Sequence, residues 1–283
     1  MENWSETYRG TVPPWECDVT EHFTIAYYFD RLGEAGRSFT EALALREFLR
    51  AGHFPRHFEV RFTRELRAGS SFHIESAALS VDPGLRLGHR FVDSSTGETV
   101  TWVEERWELP VGALSPERQS AIAARLGPWE GPTLEDRPEP RSHAGFIPTA
   151  RGRVKPVDLS ADGRFGMAAM VHRFTDACVQ AGSAIGMNAE YMETGRRGFS
   201  TFELGLRISG SLGLDEPFLV QTGIAHLGNS SLRLVHRMTD PRNGQEVARV
   251  GQYGVNLDLD ARRPARWPDD IRARAEPLVV AVG

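Results

Sequence analysis

Residues 10–35 and 152–177 are two copies of one segment, laid over each other without a gap at a constant offset of 142 (Gly10 opposite Gly152). Gly10, Val12, Pro14, Phe23, Ala26, Arg31 and Ala35 meet identical residues at Gly152, Val154, Pro156, Phe165, Ala168, Arg173 and Ala177. Downstream, Phe58-Glu59 is set against Phe202-Glu203, Leu85–Asp93 (LRLGHRFVD) against Leu232–Asp240 (LRLVHRMTD), and Gly97 against Gly244. A repeat of about half the chain indicates a duplicated domain, because solenoid units are far shorter. The two copies can therefore be compared position by position for a division of labour.

Each half of this 283-residue chain is long enough to bury its own core. A net charge of −5 argues against bulk nucleic-acid binding. The basic residues are all arginine except Lys155, a bias that genome composition accounts for, although individual Arg forks suit phosphate or carboxylate. Two cysteines, Cys17 and Cys178, face Leu159 and Gly36 in the repeat. They supply neither a disulfide framework nor a metal cluster and read as small core residues. The polar start MENWSETYRG lacks the apolar core of a signal peptide, and no apolar run reaches the ~18 residues of a membrane span. A cytoplasmic protein without membrane contact is expected.

Each copy predicts the same order of elements. A short strand (Tyr8–Pro14; Arg151–Val157) leads through an acidic loop into a long helix. Its apolar face is Ile25, Tyr28, Phe29, Leu32, Ala35, Phe39, Ala42 and Leu43 in copy one, and Met167, Met170, Val171, Phe174, Ala177, Val179 and Ala181 in copy two. Four strands follow, HFEVRFTREL, SFHIESAALSV, RLGHRFVD and ETVTWVEERWEL in copy one. FSTFELGLRIS, PFLVQTGIAH, SLRLVHRMTD and EVARVGQYGVNL follow in copy two. Ala-Gly, Asp-Pro-Gly, Ser-Ser-Thr-Gly and Pro-Arg-Asn-Gly turns separate them. Each copy closes with a helix headed by proline, at Pro116 and Pro268. One long helix and antiparallel strands make an α+β unit, most simply a sheet wrapped around the helix. The expected domains are residues 1–135 and 148–283, joined by a Pro/Gly-rich linker over 136–147. Free sheet edges would let the fused copies pair like a homodimer, and leave room for homo-oligomers of the double unit.

Most chemistry-bearing residues cluster in the loop ahead of the first long helix, Trp15-Glu16-Cys17-Asp18-Val19-Thr20-Glu21-His22-Phe23-Thr24. An acid there is either a helix cap or a general base beside an anion-binding helix end; spacing leaves both open. Glu34 and Asp176 coincide on the long helices, and His89 and His236 coincide inside strands. The carboxylates are structural or catalytic by position, and a lone strand histidine is usually a hydrogen-bonded core residue.

PWECDVTEHFTIAYYFDRLGEA resembles the opening of the hot-dog-fold acyl-CoA thioesterases of the 4-hydroxybenzoyl-CoA thioesterase superfamily, whose pattern is Asp-x-x-Gly-His-x-Asn followed by an Ala-Tyr-Tyr helix. Asp18, His22, Ala26, Tyr27, Tyr28 and Glu34 stand in those places, and FEVRFTRELRAGSSFHIES resembles the family's next strand, turn and strand. The resemblance implies a tandem double hot-dog with sites at the seam of the pair, and no cofactor or metal. It also implies an acyl-CoA or acyl-carrier-protein thioester substrate lying along the helix N-terminus, whose N–H groups polarise the carbonyl. Carried over, Asp18 is the base or nucleophile, His22 orients it or meets substrate, and Phe23, Thr24 and Tyr27 line the substrate. Glu21 stands in place of the family's Gly and Thr24 in place of its Asn. In copy two Ser160 faces Asp18 and Arg164 faces His22, so Asp162 is that copy's candidate acid. Two other functions fit the same fold. One is a non-catalytic acyl-binding protein with degenerate sites. The other is a hot-dog hydratase or dehydratase, toward which HFPRHFEV (His53 to Val60) points only by its first residues.

Overall fold

A computed structural model describes residues 3–81, 84–110 and 112–283. The chain divides into two compact units, Met1–Leu134 and Glu135–Gly283.

In unit 1, β1 (Ser5–Thr11) leads through a single 3₁₀ turn (Pro14–Glu16) into α1 (Ile25–Ala42), and a short α2 (Arg46–Arg50) follows. β2 (Pro55–Phe62), β3 (Ser71–Ser80), β4 (Arg86–Asp93) and β5 (Thr99–Trp107) come next, and α3 (Pro116–Ala123) closes the unit. All pairings are antiparallel, in the order β1-β3-β4-β5-β2. α1 buries Tyr28, Phe29, Leu32, Ala35 and Phe39 against the sheet, with Leu43 just beyond its end. Ala26 and Thr40, not Ile25 and Ala42, complete this face. The expected strand Tyr8–Pro14 ends three residues early. Pro13 and Pro14 have no N–H for the ladder, and the chain turns into the 3₁₀ helix instead.

Unit 2 repeats the plan. β6 (Ile147–Arg153), a 3₁₀ turn (Pro156–Asp158), α4 (Met167–Ala184) and α5 (Ala189–Gly195) precede β7 (Arg197–Ile208), β8 (Pro217–Leu227), β9 (Ser231–Thr239) and β10 (Glu246–Asp258). The two-residue β11 (Arg263–Pro264) pairs with β10, and α6 (Asp269–Ala275) follows. Sheet order is β6-β8-β9-β10-β7, again antiparallel. α4 buries Met170, Val171, Phe174, Ala177 and Ala181, while Val179 is exposed. Both units are thus antiparallel sheets around one 18-residue helix.

Three details differ from expectation. Pro116 is the first residue of α3, but Pro268 occupies the cap position ahead of α6. Phe58 is not the counterpart of Phe202. Phe58 pairs with Glu105 across β2–β5, and the residue facing the corresponding Gln252 of β10 is Leu204. Phe58 and Leu204 are both buried, whereas Phe202 is 36% exposed. Both ladders carry the same irregularity, at Pro55/His57 of unit 1 and at Tyr253/Gly254 of unit 2, so Phe202 holds the bulged place that Arg56 holds in unit 1, two residues from the place of Phe58. The segment read as a Pro/Gly-rich linker, 136–147, is tied to unit 2 by side chains. Arg137 forks onto Glu203 at 2.9 and 2.8 Å, and Arg249 reaches Glu139 at 3.1 Å. The Asp-Pro-Gly turn falls on Asp82 and Pro83, outside the described residues.

Candidate functional site

The loop ahead of α1 is built by its backbone. Cys17 and Phe23 bridge antiparallel, Asp18 N–H donates to the His22 carbonyl at 2.9 Å, and Glu21 N–H donates to the Asp18 carbonyl at 3.0 Å. Unit 2 closes the same loop with Leu159 and Phe165 bridged, Ser160 N–H to the Arg164 carbonyl at 2.8 Å and Gly163 N–H to the Ser160 carbonyl at 2.9 Å. The geometry requires a left-handed residue in fourth place. Unit 2 supplies Gly163 at φ 75°, and unit 1 forces Glu21 to φ 64°. A side chain there costs roughly 1–2 kcal/mol, offset partly by the extra entropy glycine loses on folding. Glu21→Gly is accordingly expected to raise the melting temperature of unit 1 by about 2 °C or more, read by thermal unfolding; a lower value would mean that the Glu21 side chain repays its strain.

Side chains complete each loop with one carboxylate and one hydroxyl in exchanged places. Asp18 Oδ1 accepts from Thr20 N–H at 2.8 Å, the Thr20 hydroxyl at 2.6 Å and His22 N–H at 3.2 Å. In unit 2 the Ser160 hydroxyl donates to Asp162 Oδ1, which also accepts from Arg164 N–H at 3.4 Å. Asp18 is exposed at the loop tip and all three of these bonds fall on one oxygen. Asp162 lies beside the Arg164 guanidinium, 3.9 Å away.

His22 is buried, with Nδ1 2.8 Å from the Thr20 hydroxyl and Nε2 2.9 Å from Glu65 Oε2 and 3.3 Å from Arg67 Nη2. Glu65 and Arg67 lie in the β2–β3 turn. The sequence singled out this turn only for its resemblance, because nothing local links it to a histidine more than 40 residues earlier. The β-bridge between His22 and Arg67 makes that link. In unit 2 the places of His22 and Glu65 hold Arg164 and Ser211, 3.4 Å apart.

Phe23 is a core residue. It packs against Tyr28 and Phe72, with ring centroids 4.6 and 5.9 Å away, and its N–H donates to the Leu66 carbonyl. Tyr28 is buried with it, and burial pushes its phenol well above the usual range. Trp15 by contrast is exposed, and Tyr27, stacked 6.1 Å from Phe23, is half-buried. Thr24 is the residue capping α1, yet its side chain makes no capping bond. Gly166 holds that place ahead of α4 and has no side chain to offer. Neither long helix has an acid in its first turn, whereas α3 and α5 are capped by Ser115 and Asn188. The starts of α1 and α4 thus have no side-chain acceptor at the positive end of the helix dipole, although the Tyr27 N–H turns back to the Thr24 carbonyl at 2.9 Å.

The remaining candidates have structural partners. Glu16, buried, accepts from Arg31 at 2.7 and 2.6 Å and ties the 3₁₀ turn to α1. Asp158 repeats this with the Lys155 N–H at 2.8 Å and Arg173 at 3.7 Å. The identity of Arg31 and Arg173 was the sequence signal for this staple. Asp176 pairs with Arg173 at 3.1 Å. Glu34 is exposed and edges an open hollow of 330 Å³ shared with Arg37, Glu41 and Arg46. His89 and His236 are fully buried, with Nδ1 2.7 Å from the hydroxyls of Ser76 and Thr222.

A family model described as the thioesterase-like superfamily matches residues 12–107 and 154–275, well over half the chain. The chain belongs to the thioesterase-like superfamily. Among solved structures, this thioesterase-like protein is similar to an acyl-ACP thioesterase from Bacteroides thetaiotaomicron at TM-score 0.67 and 10% identity, with 89% of this chain and 98% of that one covered. It is also similar to a 12:0-ACP thioesterase from Umbellularia californica at TM-score 0.60 and 12% identity, covering 88% and 92%. At such identities the likeness is one of fold, and the fold is a tandem double hot-dog. No curated protein matches the sequence. No helix of the described residues is long and apolar enough to cross a membrane.

Proposed function

We propose that this thioesterase-like protein hydrolyses an acyl-CoA to the free acid and CoA. The observation that carries the proposal is the pair of long helices whose N-termini are left without side-chain cap or acid, while two shorter helices of the same chain are capped. Amides at the positive end of a helix, with no side-chain acceptor competing for them, suit the oxygen of a thioester carbonyl. They bind it more tightly as it becomes an oxyanion, and one such donor is typically worth about 3–4 kcal/mol in the transition state.

In unit 1 this helix start follows directly on the Asp18 loop. Asp18 takes a proton from water as the oxygen attacks the carbonyl carbon, the α1 amides hold the tetrahedral oxyanion, and collapse breaks the C–S bond. The thiolate leaves and takes up the proton. Asp18 Oδ1 is occupied by the loop, so the base is the other oxygen, Oδ2. Thr24 and Tyr27 border the helix start and are the substrate contacts of this scheme; Phe23 supports them from the core. No metal or cofactor enters it.

Thiol release from a panel of acyl-CoA and acyl-carrier-protein thioesters is the test. Release well above buffer from one class is expected. Tight binding without release would favour an acyl-binding protein with degenerate sites, and loss of enoyl absorbance without release would favour a hydratase. A carrier-protein substrate is the second choice, supported by what the two similar structures are named for.

A further inference from the structure

Four side chains join the tip of the unit 1 loop to the β2–β3 turn. Asp18 Oδ1 lies 2.6 Å from Thr20 Oγ1, which lies 2.8 Å from His22 Nδ1; His22 Nε2 lies 2.9 Å from Glu65 and 3.3 Å from Arg67. The hydroxyl has one proton. An ionised carboxylate only accepts, so Thr20 donates to Asp18 and the Nδ1 of His22 must donate to Thr20. Nε2 then faces two rivals. Glu65 accepts, and its bond needs Nε2–H and a charged imidazolium. Arg67 only donates, and its bond needs a bare Nε2 and a neutral ring. Arg67 and Glu65 are themselves 3.9 Å apart, so whichever loses His22 still has the other.

We propose that Glu65 and Arg67 compete for His22 Nε2 and thereby set the charge that stands one hydroxyl away from Asp18. Glu65 is a positioning residue of the unit 1 site, acting through His22 and Thr20. This rests on the hydrolytic role proposed for Asp18. The charged groups bonded to His22 include Asp18, through the His22 backbone N–H and the Thr20 hydroxyl, and Glu65 and Arg67 from the turn. The Cys17 thiol and Tyr28 phenol, both pushed up by burial, remain neutral. Unit 2 holds the fixed cation Arg164 opposite Ser211 in the same places, so it has no such switch.

The test is the titration of the His22 ring by NMR, its signal assigned by loss in His22→Asn, in the full chain and in the Glu65→Gln and Arg67→Gln variants. Glu65→Gln is expected to move the titration to lower pH and Arg67→Gln to higher pH, each by about half a unit or more. Glu65→Asp should restore part of the first shift. The pH profile of kcat for whichever thioester of the panel is turned over should move the same way. Thr20→Val should uncouple that profile from the ring while leaving the ring's titration in place. Coincident ring titrations in folded variants would overturn the competition, and shifted titrations with an unmoved profile would overturn the positioning role. The NMR comparison holds even if no thioester is turned over, so failure of the hydrolytic scheme shows separately.

Discussion

Asp18→Asn is expected to lower the turnover of the preferred thioester by about 10²-fold or more, and Asp162→Asn to leave most of it. General acid–base catalysis typically supplies 10²–10⁴-fold. The substitution is a clean one because the loop bonds fall on Oδ1, which asparagine keeps. Thr20 N–H, the Thr20 hydroxyl and His22 N–H still find their acceptor. The loop should therefore stay closed, the melting temperature should hold within a few degrees, and the loss should appear in kcat more than in KM. Asp162 is the fair rival, since it organises the unit 2 loop as Asp18 does that of unit 1. It lies beside Arg164, however, and in place of the His22–Glu65 pair that loop has Arg164 and Ser211. Equal losses from the two variants would show two working loops. A loss below threefold from Asp18→Asn, with folding intact, would remove Asp18 from the mechanism, and Glu34 at its open hollow would be the next carboxylate to replace. Two fused copies permit such inequality because each can mutate separately, which a symmetric homodimer forbids.

The unfolding transition that includes unit 2 is expected to lose on the order of 3 kcal/mol of stability between pH 6.5 and pH 4 through His236. Burial among Thr222, Gln252 and the helix α4 holds this imidazole neutral and pushes it down from 6.5 to about 4. The unfolded chain binds a proton below pH 6.5 that the folded chain refuses until about pH 4. The stability is therefore fully present above pH 6.5 and drains as pH falls through that window, at about 1.4 kcal/mol per unit. Its neighbours do not titrate in the same range. Thr149 and Thr222 are hydroxyls 2.7 Å apart, and the Cys178 thiol on α4 is pushed up to about 12 by burial. Urea midpoints at pH 7, 5.5 and 4 measure the slope, and His236→Gln should flatten it even where the variant is less stable throughout. An unchanged slope would mean that His236 is charged or exposed in the folded protein. Unit 1 is not a copy of this case, because at the place of Gln252 it carries Glu105, 3.5 Å from His89 Nε2 and held by the Trp107 indole at 2.9 Å.

The sequence by itself determined the architecture. An ungapped repeat, a 3.6-residue apolar period and four alternating strands per copy leave few packings, and the long helices, eight principal strands and closing helices stand within a few residues of their expected places. The errors were local: prolines ended β1 early, and the Phe58 match fell on Phe202, a bulged residue of β7 that corresponds to Arg56. Loop contents were legible too, since Asp18, His22 and Asp162 lie within a five-residue turn common to both units. What only the tertiary structure decided was the job of each polar group. Glu16 and Asp158 are staples for Arg31 and Arg173, Phe23 is core, Glu21 carries the strain that Gly163 avoids, and His22 is held from across the fold by Glu65 and Arg67. Periodicity reports how each residue stands toward its own element's core, and that is a local property. A side chain's partner depends on where a distant turn returns to the same loop, and its charge depends on that partner, so neither is written in the spacing of residues along the chain.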